Sequence, residues 1–324
     1  MRMMGVCFPL PFLAFATALS QAPSVVPPSA KAELLVDVGQ RTEGPAPAAD
    51  GGVYFVDLDV ANGGRIFRWD PATRKAVTVR TPSGLAAGLA FAPDGRLATA
   101  ELARNGGRRV GSIDLANGAY RIVADSLNGK PIHGANDLVF DERGRLYFSE
   151  YPFMGPTDVL HRAASGVYRI DVNGKVVRII DDAGTPNGIA VAPDQRTLYV
   201  GTNKLDIFGT HAILAYDLGS DGQVRFRTVL VRLPSTQQPD GIAIDVDGNL
   251  YVAMFSGRTG VAVYDSTGRE IAYVDMPSPT TNGPWPGPTS TRSRQPGTTP
   301  GCSRADPVWR PYSTVAFAGQ RPRV

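Results

Sequence analysis

The sequence predicts an all-β protein built on a six-bladed β-propeller plan, with the last blade missing or replaced by an irregular C-terminal tail. Three observations predict it. Gly (36) and Pro (27) are numerous among the 324 residues and charged residues make up only 19%, a composition suited to many short strands joined by turns. No long stretch shows the 3.6-residue periodicity of an amphipathic helix. One strand motif also returns at intervals close to the length of a propeller blade.

In chain order the motif reads GGVYFVD (51–57), GRLATAE (95–101), GRLYFSE (144–150), RTLYVGT (196–202) and GNLYVAM (248–254). Aligned on Val53, Leu97, Leu146, Leu198 and Leu250, the copies stand 44, 49, 52 and 52 residues apart. Each is followed by a further strand: GRIFRWD (64–70), RVGSIDL (109–115), SGVYRID (165–171), AILAYDL (212–218) and GVAVYDS (260–266). Turns such as PDG (93–95), NG (173–174) and DG (247–248) separate them. A β-sandwich would not repeat its sequence at fixed intervals. Residues 32–38, AELLVDV, supply an additional strand upstream, expected to join the last blade and close the ring, which removes open sheet edges. The propeller is thus expected over residues 32–282, with the sixth blade after Thr281.

The two ends read differently. Residues 1–22 have Arg2, an apolar run to Leu19 and small residues at Ala16, Ala18 and Ala22, the pattern of a signal peptide. Pro9 and Pro11 interrupt any membrane span, so the protein is expected to be exported, periplasmic or secreted. Removal of that segment leaves Cys302 as the sole cysteine, excluding an internal disulfide or a cysteine metal cluster. Residues 283–324 are rich in Pro, Gly, Ser, Thr and Arg and are expected to be a low-complexity, disordered tail. A shifted reading frame near Asn282 would produce such an abrupt change. The tail carries six arginines and one acid, Asp306, so the net charge of +3 belongs to it and the rest of the chain is slightly acidic. No basic face interleaved with aromatics exists in the body, and nucleic acid is not an expected partner.

Three segments carry a polar residue at one shared place: HGANDLVFDERGRLYFSE (133–150), TPNGIAVAPDQRTLYV (185–200) and QPDGIAIDVDGNLYV (238–252). The shared residues are Asn136, Asn187 and Asp240, 51 and 53 residues apart. The equivalent place holds Glu43 in the first repeat, within TEGPAP, and Ala87 in the second. Inner strands of a propeller surround its axis, so these side chains are expected to converge at one mouth. Singly, each is an ordinary turn former; turn chemistry alone does not require all of them at one repeat position. Two carboxylates and two amide carbonyls balance and coordinate a hard divalent ion, Ca²⁺ first, with Mg²⁺ or Mn²⁺ next. Zn²⁺ is less favoured by a set without His or Cys. The GxSxG signature of a serine hydrolase is absent.

Together EGPAP, GANDLVFDERGRLYFSE, TPNGIAVAPDQRTLYV and PDGIAIDVDGNLYVAMF make the chain resemble the SMP-30/gluconolactonase/LRE-like family of six-bladed propellers, from about Glu43 to Asn282. The resemblance implies one divalent metal, often calcium, held by Glu43, Asn136, Asn187 and Asp240. It also implies a lactonase-type hydrolase acting on carboxylic ester bonds, opening a small-molecule lactone or ester by metal-activated water. Asp240 is then the expected general base, helped or replaced by Glu43. His133, Glu150, Tyr151 and Met154 are expected near the substrate, with Phe153 and Phe208 as further apolar wall, and Asp137 is expected to cap local backbone amides. Two departures stand out: Glu150 where the family usually has Asp, and Gly134 where some sugar-lactonase members have Arg, which weighs against a sugar lactone. The competing readings are a non-enzymatic propeller that binds a small ligand or protein, and an inactive truncated family member.

Overall fold

Each repeat carries four short alternating runs separated by turn residues, and each folds into one antiparallel sheet of four strands. The computed structural model describes residues 25–26, 34–38, 41–103, 105–151, 165–204, 209–276 and 280–281. The first blade holds β1 (Thr42–Pro47), β2 (Val53–Asp57), β3 (Arg65–Asp70) and β4 (Lys75–Arg80). The second holds β5 (Ala86–Phe91), β6 (Leu97–Glu101), β7 (Arg109–Ile113) and β8 (Tyr120–Ala124). A small hairpin, β9 (Ser126–Leu127) and β10 (Lys130–Pro131), leads to the third. That blade comprises β11 (Ala135–Phe140), β12 (Leu146–Glu150), β13 (Val167–Ile170) and β14 (Val176–Ile180). The fourth has β15 (Pro186–Val191), β16 (Thr197–Thr202), β17 (His211–Leu218) and β18 (Val224–Leu233). The fifth has β19 (Pro239–Ile244), β20 (Leu250–Met254), β21 (Gly260–Tyr264) and β22 (Glu270–Asp275). Within every blade each strand pairs with the next in sequence.

Among the described residues there are five blades, where the sequence predicts a six-bladed plan. Residues 1–22 and 283–324 lie outside the described residues, and with them the expected signal peptide, sixth blade and tail. No helix among the described residues is long and apolar enough to cross a membrane.

Burial follows strand order. β6, β12, β16 and β20 are buried throughout, because they lie inside the stack of neighbouring sheets. The rim strands β4 and β18 are mostly open to solvent. Sheets pack face to face, and the core is a series of layers between adjacent blades. Leu97 and Ile113 meet Val56 and Ile66 in one layer; Phe148 and Tyr168 meet Ala98 and Val110 in the next. Tyr147 and Val167 then meet Leu198 and Leu214, and Tyr199 and Ile213 meet Val252 and Ala262. The turns use one device repeatedly. Between β19 and β20 the Asp245 carboxylate accepts hydrogen bonds from the backbone N–H groups of Asp247 and Asn249 at 3.0 and 2.8 Å. Gly248 there has φ +85°, which a side chain would strain.

The innermost strands β1, β5, β11, β15 and β19 neighbour one another in that order around an axis. Residues 280–281 connect the two ends of the series. The Thr281 carbonyl accepts a bond from Gly241 N–H in β19 at 2.8 Å, and its hydroxyl donates to the Thr42 carbonyl in β1 at 2.7 Å. Both threonines are buried. The outward faces of the end blades are covered by the N-terminal region: Leu35, Val36 and Val38 pack on Phe55, Phe67 and Trp69 of blade one, and Val25 and Val26 pack on Tyr251, Val261 and Val263 of blade five. Here the expectation of a strand over residues 32–38 needs correction. Residues 34–38 form no strand; they lie on the apolar face of blade one, with the Val38 carbonyl accepting a bond from Arg65 at 3.2 Å.

Candidate active site

Every inner strand opens with the same local irregularity. The pairing register shifts between Glu43 and Ala46 in β1, Ala86 and Gly88 in β5, Ala135 and Leu138 in β11, Pro186 and Ile189 in β15, and Pro239 and Ile242 in β19. Such a bulge re-aims a side chain that an unbroken pleat would bury between sheets. In each blade the second residue of the inner strand sits at this irregularity: Glu43, Ala87, Asn136, Asn187 and Asp240. All five line one pocket of about 400 Å³, mouth included. The four predicted oxygen donors are thus brought together, and Ala87 contributes only a methyl group.

Glycine follows this position in four of the five blades, because the next inner strand passes very close. A Cβ on Gly188 would run into the carbonyl oxygen of Asp240, and one on Gly44 into that of Ala87. Blade three has Asp137 instead. Its carboxylate accepts a bond from Ile189 N–H of the next blade at 3.1 Å and from its own neighbour Leu138 N–H at 2.9 Å. The expected capping role therefore holds, and it extends across the blade boundary. Burial, and to a smaller extent the charge of Asp240, pushes the Asp137 carboxyl up to about 7, against the two backbone bonds that favour its charged form.

A second ring of lining residues comes from one place in four of the five repeats, the residue directly after the second strand. Leu58, Leu102, Tyr151 and Phe255 follow β2, β6, β12 and β20 respectively, and all line the pocket. Arg41 and Gln238, each two residues before a donor, complete the wall. Of these six, Tyr151 alone is expected near the substrate from the sequence. The signal for the others was the repeat itself, since residues at equivalent places face the same mouth.

His133 and Glu150 stand behind the wall and not among its lining residues. Both are buried. Glu150 accepts the His133 backbone N–H at 2.9 Å and the Tyr168 hydroxyl at 2.8 Å. It is a staple joining the end of β12 to the segment entering β11, as Thr202 is for Thr185 and Asp57 for Arg41. Alternation along the strand explains the placement: residue 150 points between the sheets and residue 151 turns to the pocket. Met154, Phe153 and Phe208 lie outside the described residues.

The pocket's electrostatics centre on Asp240, which is 6% exposed. Burial raises its carboxyl to about 6, while the nearby Arg41 charge and a bond donated by the Asn187 amide pull the other way. Asn187 thereby spends its NH₂ group on Asp240, and its Oδ1 atom is buried with no hydrogen-bond partner. A buried amide carbonyl left in this condition costs about 1–3 kcal/mol unless something binds it. Arg41 Nη2 stands 3.6 Å from Glu43 Oε1. Burial raises the Tyr151 hydroxyl above its usual range, partly offset by Asn203, Arg41 and Gln238. Among the described residues no group of three or more His, Cys, Asp and Glu side chains could hold a metal. Any cation site here must use the two amides, as a hard, oxygen-preferring ion does. The donor chemistry and the orphaned Asn187 oxygen fit such an ion.

The fold and this pocket define a β-propeller with a polar, oxygen-lined cavity at the mouth of its axis. The chain belongs to the SMP-30/gluconolactonase/LRE-like family, whose model matches residues 41–292. It is similar to a gluconolactonase of Zymomonas mobilis, 27% identical over 75% of this chain and 71% of that protein. It is also similar to the lactonase drp35 of Staphylococcus epidermidis, 29% identical over 74% and 71% of the two chains. Among solved structures, a gluconolactonase from Xanthomonas campestris matches with a TM-score of 0.67 at 28% identity, covering 77% of this chain and 80% of that one.

Proposed function

We propose that the protein is a lactone hydrolase whose pocket holds one divalent cation, Ca²⁺ first, through Glu43, Asn136, Asn187 and Asp240. The observation that carries this reading is the meeting of four oxygen donors from four blades in one pocket, with the buried Asn187 Oδ1 lacking any partner. The gluconolactonases and lactonases among the relatives support a lactone as substrate. The six-bladed plan is part of the proposal: Thr280–Thr281 lie between β19 and β1, where a sixth inner strand would enter, and the family match runs on to residue 292. So is export, on the strength of residues 1–22.

When bound, the cation would supply a Lewis acid for the ester carbonyl. The chain's own residues do the rest. Asp240, with its carboxyl near 6, is ionised at neutral pH, as a general base must be. It takes a proton from the attacking water as the water oxygen bonds to the carbonyl carbon. It returns that proton to the ring oxygen as the carbon–oxygen bond breaks, giving a hydroxy acid. The Asn187 amide holds Asp240 in orientation, and Arg41 favours its charged form. Tyr151 keeps its proton because burial raises its hydroxyl, so it can donate to a substrate oxygen. Leu58, Leu102 and Phe255 offer an apolar wall for ring methylenes.

Calorimetric titration of the chelator-treated protein with Ca²⁺, paired with lactone hydrolysis before and after re-addition, tests the reading. Binding of one ion and recovery of turnover are expected; a protein that binds no divalent ion overturns the metal assignment, and one that opens no lactone overturns the hydrolase assignment.

A further inference from the structure

The residues lining the pocket include one cation, Arg41. We propose that Arg41 makes the pocket selective for anionic lactones, rings that carry a carboxylate group, by pairing with that group while the ester carbonyl faces the oxygen donors. This rests on the reading of the pocket as a cation-binding lactone hydrolase.

The placement of Arg41 is fixed from several sides. Its backbone N–H donates to the buried Asp57 carboxylate at 3.3 Å, and its carbonyl accepts from Leu58 N–H at 2.8 Å. The guanidinium carbon lies over the Phe255 ring, 4.9 Å from its centroid, a cation–π contact that limits where the planar head can go. From there it stands 3.6 Å from Glu43 and near enough to Asp240 to lower that carboxyl. A divalent ion would be enough to balance Glu43 and Asp240, so with the Asp137 carboxyl protonated Arg41 would give the loaded pocket one positive charge in excess. With an ion bound, the guanidinium would be held less firmly by the two carboxylates, which the ion would share. An incoming carboxylate both balances the charge and matches the fork of the guanidinium, which can donate two parallel hydrogen bonds. Asp137, the next acid along the axis, does not compete for this role: it is absent from the lining and its oxygens accept the Ile189 and Leu138 N–H groups. A neutral ring would meet the same apolar wall and gain nothing from Arg41.

The test compares two lactones of one ring size on the Ca²⁺-loaded full chain: γ-butyrolactone, and γ-carboxy-γ-butyrolactone, which bears the extra carboxylate. Their ring-opened products, 4-hydroxybutyrate and 2-hydroxyglutarate, are titrated calorimetrically against the same protein. A charged hydrogen-bonded pair distinguishes ligands by about tenfold or more. The wild type should therefore favour the carboxylated ring by at least about tenfold in kcat/KM, mainly through KM, and bind 2-hydroxyglutarate more tightly than 4-hydroxybutyrate. In Arg41→Gln both ratios should fall towards unity. Arg41→Met is a second neutral replacement that keeps contact with Phe255, so one folded neutral variant suffices, with folding checked by circular dichroism. Unchanged ratios in a folded neutral variant, or equal rates on the two rings in the wild type, overturn the inference and leave the hydrolase reading standing. If the loaded wild type opens neither ring, the hydrolase reading fails, and calorimetry alone decides: weaker 2-hydroxyglutarate binding in the neutral variant upholds the anion site, and equal binding overturns it.

Discussion

Asp240→Asn separates the energetic cost of the site from its use. In the chelated protein the Asp240 carboxyl is raised from 3.8 to about 6, burial being the largest cause. Two units at about 1.36 kcal/mol each mean that holding the charge there costs about 3 kcal/mol once the group is fully ionised. A raised folded-state value stabilises the fold below about pH 4, and that stabilisation is lost as pH rises through about 6. Asparagine is nearly isosteric and carries no charge to desolvate. The metal-free variant should therefore match the wild type near pH 4, gain on it between pH 4 and 6, and exceed it by about 1–3 kcal/mol at pH 8. The lower end allows for an amide hydrogen of the new side chain that finds no partner in the buried site. Urea unfolding with chelator at pH 4, 6 and 8 measures this directly. With Ca²⁺ present the order should reverse, because only the wild type brings two carboxylates to the ion and gains the full binding energy. Turnover should fall on the order of 10²–10⁴-fold if Asp240 is the base. A metal-free variant no more stable than wild type at pH 8, or a gap that does not change with pH, would refute the reasoning.

Other outcomes follow from particular contacts. Thr281→Val removes the hydroxyl that reaches the Thr42 carbonyl and should cost about 1–2 kcal/mol, with Thr281→Ser recovering it; thermal melting of the two variants is the check. Since Thr42 and Gly241 adjoin Glu43 and Asp240, the Val variant should also bind Ca²⁺ more weakly. Gly188→Ala drives a methyl group into the Asp240 carbonyl and should destabilise the fold by about 1–3 kcal/mol, seen as a lower unfolding midpoint. Glu150→Gln disturbs the bonds to His133 and Tyr168, lowering stability by about 1–2 kcal/mol; because Glu150 does not line the pocket, KM for a lactone should be unchanged.

Sequence alone carried the strand repeat, the turns and the four donors. All three are local or periodic signals: apolar alternation, Asp–Gly turn chemistry, and one polar residue at the same place in four of the five inner strands. The same periodicity could have announced the second ring of lining residues, Leu58, Leu102, Tyr151 and Phe255, but their types differ from blade to blade and no single residue marks the pattern. The family resemblance implies a place near the substrate for Glu150, whereas Glu150 is absent from the pocket lining. Its neighbours His133 and Tyr168 lie 17 and 18 residues away in sequence, and only folding brings them to it. Arg41 carries no mark in the sequence for the same reason: its meaning comes from Glu43, Asp240 and Phe255, the last two some two hundred residues further along the chain. The run 32–38 was expected to be a strand; tertiary packing laid residues 34–38 on the face of blade one instead.

The sequence by itself determined which residues carry oxygen donors and that they recur at one repeat position in four of the five blades, since composition and period are properties of the chain. Tertiary structure decided which of the charged groups face the pocket and which are spent holding loops, because burial and partnership depend on strands from different blades meeting around one axis.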